Sequence, residues 1–271
     1  MRYAMLCGNG RFPVLALEQA RKLGHEVVAI GIEGEAGPEI EPLAVRTYRI
    51  TVAQLGKLID TLRRERITEL VFCGQVKHVS LFSGLTPDWR MVKLLASLEH
   101  RNTDALIGGV IKVLAEEGIT VRDSTWLLKP LLARPGVLTR RKPGSEEEKE
   151  IRYGRRIAAA LSGFDVGQSV VISGRACVAL EAMEGTDAML RRAALLANGS
   201  RLTLVKGSRR RGHLLFDVPV AGPRTIEVMK ETNATVLAVD AGRTLLLDRD
   251  EMIEAADRAG IAVTAAEAPE E

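Results

Sequence analysis

The sequence predicts an α/β protein with an N-terminal Rossmann-like parallel-sheet domain and a C-terminal mixed α/β domain. In the first half, apolar runs of strand length alternate with amphipathic helix patterns, which is typical of a parallel sheet. In the second half, short β-branched runs follow one another, and helix patterns separate only some of them. A chain of 271 residues also favours roughly two domains.

The first strand–helix–strand unit surrounds a glycine turn. An apolar strand at 2–6 leads through Gly8-Asn-Gly10 into a helix pattern at 14–23, and a second strand follows at 26–32. Backbone amides at such a turn, together with the dipole of the helix, could hold a phosphate group. The third glycine of the dinucleotide fingerprint is absent, because Pro13 stands in its place. An ordinary tight turn therefore remains an equal alternative.

The strand predicted at 69–74 is followed directly by polar residues. Ligands bind beyond the carboxyl ends of strands in open parallel sheets, so Lys77 and His78 have a functional interpretation beside that of a solvated loop. The other elements predicted in this half are a strand at 45–50, helices at 52–66, 88–98 and 104–117, a strand at 118–123 and a helix at 124–132.

A polar, highly charged segment at 139–150 contains a Pro-Gly pair and is the best candidate for a linker. We therefore predict one domain at residues 1–140 and a second at residues 141–271. The acidic, alanine-rich tail after Thr264 is expected to be frayed. The second domain is predicted to contain strands at 169–173, 176–180, 201–206, 214–216, 234–239 and 244–247, and helices at 147–161, 186–198, 224–231 and 249–259.

Composition limits the classes of function. Hydrophobic residues make up 46 % and charged residues 27 %, which indicates a globular protein, and the 4 % aromatic content argues against a nucleic-acid stacking surface. The net charge is only +3, but basic clusters at 140–142 and 209–211 suit an anionic ligand. Three separated cysteines predict buried reduced thiols and a cytoplasmic location. No apolar run is long enough to span a bilayer.

Four polar sites of the second half could converge, since strand ends and helix starts often meet in α/β folds. Carboxylates together with phosphate oxygens are the usual ligands of Mg²⁺, and a lysine can neutralise charge that develops during phosphoryl transfer. Helix caps and turns are the structural alternative for each acid. The sites are Glu181, Glu184 and Asp187 around Gly185-Thr186, then Lys206, then Asp217, and finally Gly222 to Thr225.

The same motifs, in this order, resemble the UDP-2,3-diacylglucosamine pyrophosphatases of the lipid A pathway. The type concerned is metal-dependent and unrelated to the calcineurin-like phosphoesterases. The resemblance extends over nearly the whole chain. It rests on Gly8-Asn-Gly-Arg-Phe-Pro13, the segment 104–132 with Gly136-Val-Leu-Thr139, Phe164-Asp-Val-Gly-Gln-Ser-Val170, Val178-Ala-Leu-Glu-Ala-Met-Glu-Gly-Thr-Asp187, Leu204-Val-Lys206 and Phe216-Asp-Val-Pro-Val-Ala-Gly-Pro223.

The resemblance implies hydrolysis of a glycolipid nucleotide to 2,3-diacylglucosamine 1-phosphate and UMP, with Mg²⁺ assisting attack of water on the α-phosphorus. It also implies peripheral contact with the inner membrane surface, and a homodimer is compatible with it. Asp217 and Asp187 would bind Mg²⁺, and Asp217 is the best candidate for the essential acid. By the same resemblance the other catalytic residues are Asp187, Glu181 and Lys206, and the substrate-binding residues are Gly8, Gly10, Arg11, Gln168, Thr186, Gly222 and Thr225.

The chain departs from the family pattern at two places. Relatives usually carry an acid and an arginine just before the Phe-Asp-x-Pro motif, where this chain has His213-Leu-Leu215. A lysine that is common after the strand-end glycine is replaced by Gln75. The first departure leaves a non-catalytic protein that binds a nucleotide-sugar lipid as an alternative. The turn at 8–13 leaves a nucleotide-dependent oxidoreductase as a third hypothesis.

Overall fold

The computed structural model of the chain describes residues 1–76, 86–99, 103–161, 164, 166–208 and 218–268. These residues form two compact units. The first extends from Met1 to Leu128, and the second contains the described residues from Lys129 onward. Lys77, His78 and the strand expected at 214–216 lie outside the described residues.

The first unit contains a parallel sheet of five strands in the order β3-β2-β1-β4-β5. Every neighbouring pair is parallel, and the central strand β1 pairs with both β2 and β4. This arrangement confirms the predicted Rossmann-like domain. The strands are β1 (Arg2–Cys7), β2 (Glu26–Ile32), β3 (Arg46–Ile50), β4 (Glu69–Cys73) and β5 (Thr120–Arg122).

Helices pack their apolar faces on this sheet. This packing buries strand side chains such as Ala4, Ile30 and Leu70. In α2, the apolar residues whose spacing predicted a helix are buried, among them Leu58 and Ile59. The helices are α1 (Arg11–Lys22), α2 (Leu55–Arg64), α3 (Trp89–Ser97) and α4 (Thr103–Glu116), with a 3₁₀ segment at Pro38–Leu43.

The helix expected at 124–132 is a wrong prediction. The Asp123 carboxylate accepts hydrogen bonds from the backbone amide and the hydroxyl of Thr125, which folds the chain into a turn. Pro130 then supplies no backbone N–H, and only a 3₁₀ segment at Lys129–Leu131 forms. Local turn chemistry thus overrides the apolar pattern of this segment.

The second unit contains a mixed sheet of six strands in the order β6-β13-β11-β9-β7-β8. Strand β11 is parallel to β9 and β13, whereas the remaining pairs are antiparallel. The predicted mixed α/β architecture is therefore confirmed. The strands are β6 (Gly136–Val137), β7 (Ser169–Ser173), β8 (Ala176–Leu180), β9 (Leu202–Lys206), β11 (Ala234–Asp240) and β13 (Ala262–Ala266), and β10 (Val220–Ala221) pairs separately with β12 (Leu245–Leu246).

Strand β13 corrects the expectation of a frayed tail after Thr264. Its pairing with β11 continues to Ala266, and on its other side it pairs with β6. Residues 136–137 therefore belong to the second unit's sheet. The helices of this unit are α5 (Ser145–Leu161), α6 (Thr186–Ala197), α7 (Pro223–Glu231) and α8 (Arg249–Ala259).

Two buried glutamates of α5 join this helix to the sheet. The Glu147 carboxylate accepts hydrogen bonds from Arg141, Thr235 and the amide of Gly144. Burial acts to raise the pKa of Glu147, but these donors outweigh it and leave the pKa below its ordinary value. Glu150 accepts from Arg201 and Thr203 in the same way. Both acids are structural, and Arg141 of the basic cluster at 140–142 is engaged by Glu147.

The remaining sequence-level observations concern the thiols and the membrane. Cys7 and Cys73 are buried and Cys177 is partly buried, all as free thiols. Burial raises the pKa of Cys7 to about 12. None of the helices in the described part of the chain has the length and apolarity needed to cross a bilayer.

Candidate functional site

Three polar residues form one row across the second unit's sheet. Lys206, the last residue of β9, is paired with Ser169, the first residue of β7. On the other side of β7, the amide of Glu181 donates to the carbonyl of Ser169 at 2.9 Å. Side chains of directly paired residues project from the same face of a sheet. The antiparallel register thus brings an ammonium, a hydroxyl and a carboxylate to one face at one edge.

The hydroxyl of Thr186, the first residue of α6, connects this row. It donates to Glu181 Oε1 at 2.8 Å, accepts from Lys206 Nζ at 3.1 Å and lies 3.4 Å from Ser169 Oγ. A hydroxyl has one proton and two acceptor sites, so Ser169 is the donor in the last contact. We call these four residues, Ser169, Glu181, Thr186 and Lys206, the Thr186 cluster. It fixes Lys206 and Glu181 beside the N-terminus of α6.

Glu181 keeps one unused oxygen although the residue is only 8 % exposed. Its Oε2 and the side-chain oxygen of Gln168 are buried without a hydrogen-bond partner among the described residues. The backbone carbonyl of Gln168 accepts from Gly207, which places Gln168 next to the end of β9. An unpaired buried carboxylate oxygen is costly, so a water, a cation or a substrate group is expected to contact it.

Oxygen atoms of this kind suit Mg²⁺, which prefers hard ligands and usually keeps several waters. The described residues contain no group of three His, Cys, Asp or Glu side chains that could enclose an ion. A magnesium ion commonly takes only one or two protein acids and completes its shell with water and phosphate. Glu181 is the buried acid of the cluster that could join such a shell.

Glycines allow the backbone to close around the Thr186 cluster. A Cβ atom at Gly167 would collide with the backbone carbonyl of Glu181, so the turn before β7 requires glycine. Gly185 precedes α6 with a φ of 81°, and no side chain caps this helix start. The first amides of α6 therefore point toward the space beside Thr186, where the helix dipole favours negative charge.

Asp187 lies next to Thr186 but makes a different contact. Its carboxylate is 3.5 Å from the Arg224 guanidinium, and its side chain is 45 % exposed. The carboxylate of neighbouring Glu184 pairs with Arg192 at 2.6 Å. Hydrogen bonds from its own amide and from Arg192 hold the pKa of Glu184 below the ordinary value. These two acids form surface ion pairs, whereas Glu181 is buried.

Gly222 and Thr225 serve the start of α7. The Thr225 hydroxyl accepts from the amide of Gly222 at 3.2 Å, and Pro223 occupies the first helical position. This hydrogen bond caps the first turn of α7. Substrate contacts of these two residues remain predictions.

The glycine turn of the first unit also has a structural explanation. The amide of Gly8 donates to the carbonyl of Cys73, and Asn9 exchanges two hydrogen bonds with Gln75. A Cβ at Gly8 would lie 2.5 Å from the carbonyl oxygen of Gln75. Gly10 precedes α1 with a φ of 93° and no side-chain cap, and Arg11 pairs with Glu18 at 3.7 Å. Backbone packing therefore accounts for Gly8, and ligand binding by Gly10 and Arg11 remains a prediction.

Asp217 lies outside the described residues, as do the basic run at 209–211, His213 and Asp165. The predicted catalytic and metal-binding roles of Asp217 therefore stay predictions. The sequence brought Glu181, Thr186 and Lys206 to attention, and the structure places these three in contact. It places Asp187 against Arg224 instead.

Sequence reasoning missed a buried ion pair beside the same strand end. Asp240 accepts from the amide and hydroxyl of Ser208 at 2.6 and 2.8 Å, and its other oxygen lies 3.2 Å from Arg155. Burial lowers the pKa of Arg155, and Asp240 opposes this shift. The pair fixes the backbone two residues after Lys206. An acid at the end of the apolar run 234–239 was the available signal.

Comparison with known proteins identifies the family. A sequence model of the LpxI N-terminal domain matches residues 2–131, and one of the LpxI C-terminal domain matches residues 134–264. The chain belongs to the LpxI family. It is similar to the UDP-2,3-diacylglucosamine pyrophosphatase LpxI of Caulobacter vibrioides, with 28 % identity over 275 residues that cover 97 % of this chain and 96 % of the relative.

Solved structures resemble this LpxI family member only distantly. CobK precorrin-6A reductase is 12 % identical, with a TM-score of 0.35, over 100 % of this chain and 89 % of that chain. The biotin carboxylase subunit of a pyruvate carboxylase is 14 % identical, with a TM-score of 0.27. The match covers 73 % of this chain and 40 % of that chain. At such scores neither likeness carries an argument about the LpxI site.

Replacing Asp240 with asparagine in this LpxI family member should destabilise the second unit by about 2 kcal/mol. The substitution removes the negative charge opposite Arg155. The side-chain NH₂ of asparagine must also face either the Arg155 guanidinium or the Ser208 amide, and both of these groups are hydrogen-bond donors. Thermal unfolding followed by circular dichroism would show a lower midpoint. The matched Asp187→Asn variant should leave the midpoint unchanged, because its pair with Arg224 is solvent-exposed. Equal midpoints for both variants would contradict the structural importance of Asp240.

Proposed function

We propose that this protein hydrolyses the diphosphate of UDP-2,3-diacylglucosamine, releasing UMP and 2,3-diacylglucosamine 1-phosphate. Membership of the LpxI family and the activity named for the Caulobacter relative support the choice of substrate. One structural observation carries the proposal. The Thr186 cluster holds a lysine and a buried carboxylate with a spare oxygen at the uncapped N-terminus of α6.

The charges of this arrangement suit a diphosphate. Negative charge develops on phosphate oxygens as water attacks the α-phosphorus, and the Lys206 ammonium and the first amides of α6 would stabilise that charge. Thr186 accepts a hydrogen bond from Lys206 and thereby holds the ammonium in place. The low exposure of Lys206 excludes much water, which strengthens its interaction with an anion.

Mg²⁺ is the proposed cofactor. When bound, it would neutralise charge on the diphosphate and lower the pKa of a coordinated water. The residues proposed to hold it are Asp217 and Asp187, as the sequence predicts, and the spare oxygen of Glu181 fits the same purpose. For Asp187 this role requires release of its contact with Arg224.

The nucleotide-lipid substrate bears on where in the cell the protein acts. Its acyl chains reside in a bilayer, so we propose that the protein acts in the cytoplasm with peripheral contact to the inner membrane surface. Nucleic acid is not a proposed partner. Light scattering of the purified protein would measure whether it forms the homodimer that is compatible with the family resemblance.

The decisive experiment follows UMP release from UDP-2,3-diacylglucosamine dispersed in detergent, with Mg²⁺ present. We expect UMP and 2,3-diacylglucosamine 1-phosphate in equal amounts. A chelator should stop the reaction, and added Mg²⁺ should restore it. A Glu181→Gln variant, which keeps the shape of the side chain, should be slower than the wild type.

Absence of UMP at high protein concentration would refute the proposal. If the protein then still bound the nucleotide lipid, a non-catalytic carrier would replace it. Activity that resists the chelator would retain the hydrolase but exclude the proposed cofactor. Wild-type rates from Glu181→Gln would exclude a role for that carboxylate.

A further inference from the structure

A second polar cluster lies in the first unit and has no part in the proposed chemistry. A cavity of about 520 Å³ opens between strand β3, helix α2 and the start of helix α3. Its lining combines basic and aromatic side chains. The Thr186 cluster, by contrast, contains one basic residue, Lys206, and no aromatic residue. Among the lining residues are Tyr48, Lys57, Asp60, Arg64 and Trp89.

Helix α3 begins at this cavity with Trp89 and presents apolar side chains to solvent. Trp89 is 77 % exposed, and Val92 and Lys93 are exposed one turn later on the same face. Met91 and Leu94 are buried, so α3 already packs its other apolar side against the unit. The outward face of a helix on a globular protein is normally polar. Two exposed apolar side chains next to a lysine therefore suggest a binding surface.

The basic groups at this surface are available to an anion. Among the described residues, no carboxylate lies within ion-pair distance of the Lys57 or Lys93 ammonium, and the Arg64 guanidinium stacks over Tyr48 at 4.9 Å. The Asp88 carboxylate lines the same cavity, but backbone amides already bind it. It accepts from the amides of Gly56 at 2.6 Å and Met91 at 3.0 Å, at the starts of α2 and α3.

The surface is consequently positive with an aromatic centre. Asp60 is the other acid lining the cavity, beside Lys57 and Arg64, and Lys93 is exposed on the same face of α3 as Trp89. Arg90 also lines it, but its guanidinium pairs with Glu117. Among the described residues, three cations of the α2 and α3 helices, those of Lys57, Arg64 and Lys93, thus have no carboxylate partner, and they outnumber the one acid Asp60.

We infer that the α2–α3 surface, defined by Lys57, Arg64, Trp89, Val92 and Lys93, docks the protein on a bilayer that contains anionic lipids. Tryptophan is favoured at the boundary between lipid headgroups and acyl chains. Each lysine or arginine near the surface contributes about 1 kcal/mol of attraction to anionic headgroups. Insertion of Trp89 and Val92 supplies the apolar part of the interaction.

A bilayer fits this surface better than a nucleic acid. A single-stranded nucleic acid is held by successive stacking platforms, whereas Trp89 stands with an aliphatic valine and Tyr48 is covered by Arg64. The inference rests on the proposed function, because a substrate that resides in a bilayer requires the protein to contact that bilayer. Binding to lipid can nevertheless be measured without any turnover.

The test is flotation of the full chain with vesicles. One set contains phosphatidylcholine alone, and the other contains phosphatidylcholine with phosphatidylglycerol. We expect binding to the anionic set that weakens as salt is added, since screening reduces the electrostatic part. Trp89→Ser, and separately Lys57→Glu with Arg64→Glu, should each reduce the bound fraction, the charge reversal by roughly tenfold or more.

Matched controls lie elsewhere on the surface. Leu195→Ser removes an apolar side chain of α6 that is 84 % exposed, and Lys22→Glu reverses an exposed charge at the end of α1. Both controls should bind vesicles as the wild type does. All variants should hydrolyse detergent-dispersed substrate at the wild-type rate, because neither unit's proposed catalytic residues are changed.

Several outcomes would overturn the inference. These are equal losses in the controls, no preference for anionic vesicles, and vesicle binding that is unaffected in the surface variants. Binding of a single-stranded oligonucleotide that depends on Trp89, without vesicle binding, would assign the surface to nucleic acid. Failure of the hydrolysis assay with intact vesicle binding would refute the proposed function and leave the docking surface standing.

Discussion

Replacing Asp217 with alanine should reduce UMP release by at least about 10²-fold, the range expected when a general base is removed. The family resemblance makes Asp217 the candidate for the essential acid. Asp187→Ala should lose less activity than Asp217→Ala, because Asp187 is proposed to hold Mg²⁺ only after it releases its contact with Arg224. Initial rates of UMP formation at saturating Mg²⁺ would compare the two variants with the wild type.

Asp217→Asn is the control for shape, since it keeps the side-chain volume and removes the charge. It should be as slow as Asp217→Ala if the carboxylate acts on water or metal. Unchanged melting temperatures would separate a catalytic loss from unfolding. Should Asp187→Ala remain fully active, Asp187 does not hold Mg²⁺ and its contact with Arg224 stays closed in the enzyme–substrate complex. Should Asp217→Ala remain fully active, the essential acid lies elsewhere.

The architecture was predictable because it depends on short-range patterns. Alternation of apolar strands and amphipathic helices is local information, and it correctly gave the parallel sheet of the first unit and the mixed sheet of the second. The errors arose where another local interaction competed. Asp123 and Pro130 replaced a predicted helix by turns. Strand β13 was not predicted, because its alanines lack a strong β signal.

The site was predictable only in part, because its contacts depend on pairing between distant strands. Glu181, Thr186 and Lys206 carry recognisable motifs, but the place of Ser169 among them follows from the register of β7 with β9. Asp240 and Arg155 meet through packing of α5 against the sheet, which no local pattern encodes. The partner of Asp187 likewise depends on how α6 and α7 lie together.

Replacing Lys206 with methionine should lower kcat for UMP release by about 10²- to 10³-fold, as loss of one preorganised donor to a developing oxyanion does. Methionine fills a similar volume, so the buried position remains packed. The effect should fall on kcat more than on KM, because Lys206 is proposed to meet charge that grows in the transition state. Steady-state kinetics over a range of lipid concentrations would measure both constants.

The position of the Lys206 ammonium should matter as much as its charge. Thr186→Val removes the hydroxyl that joins Lys206 to Glu181 and leaves Glu181 Oε1 without its donor, so kcat should fall although no cation is lost. Thr186→Ser retains the hydroxyl and should recover most of the rate. If Val and Ser were equally active, the Thr186 cluster would be a structural contact only. If Lys206→Met kept the wild-type kcat as well, the phosphate charge must be met by residues outside this cluster.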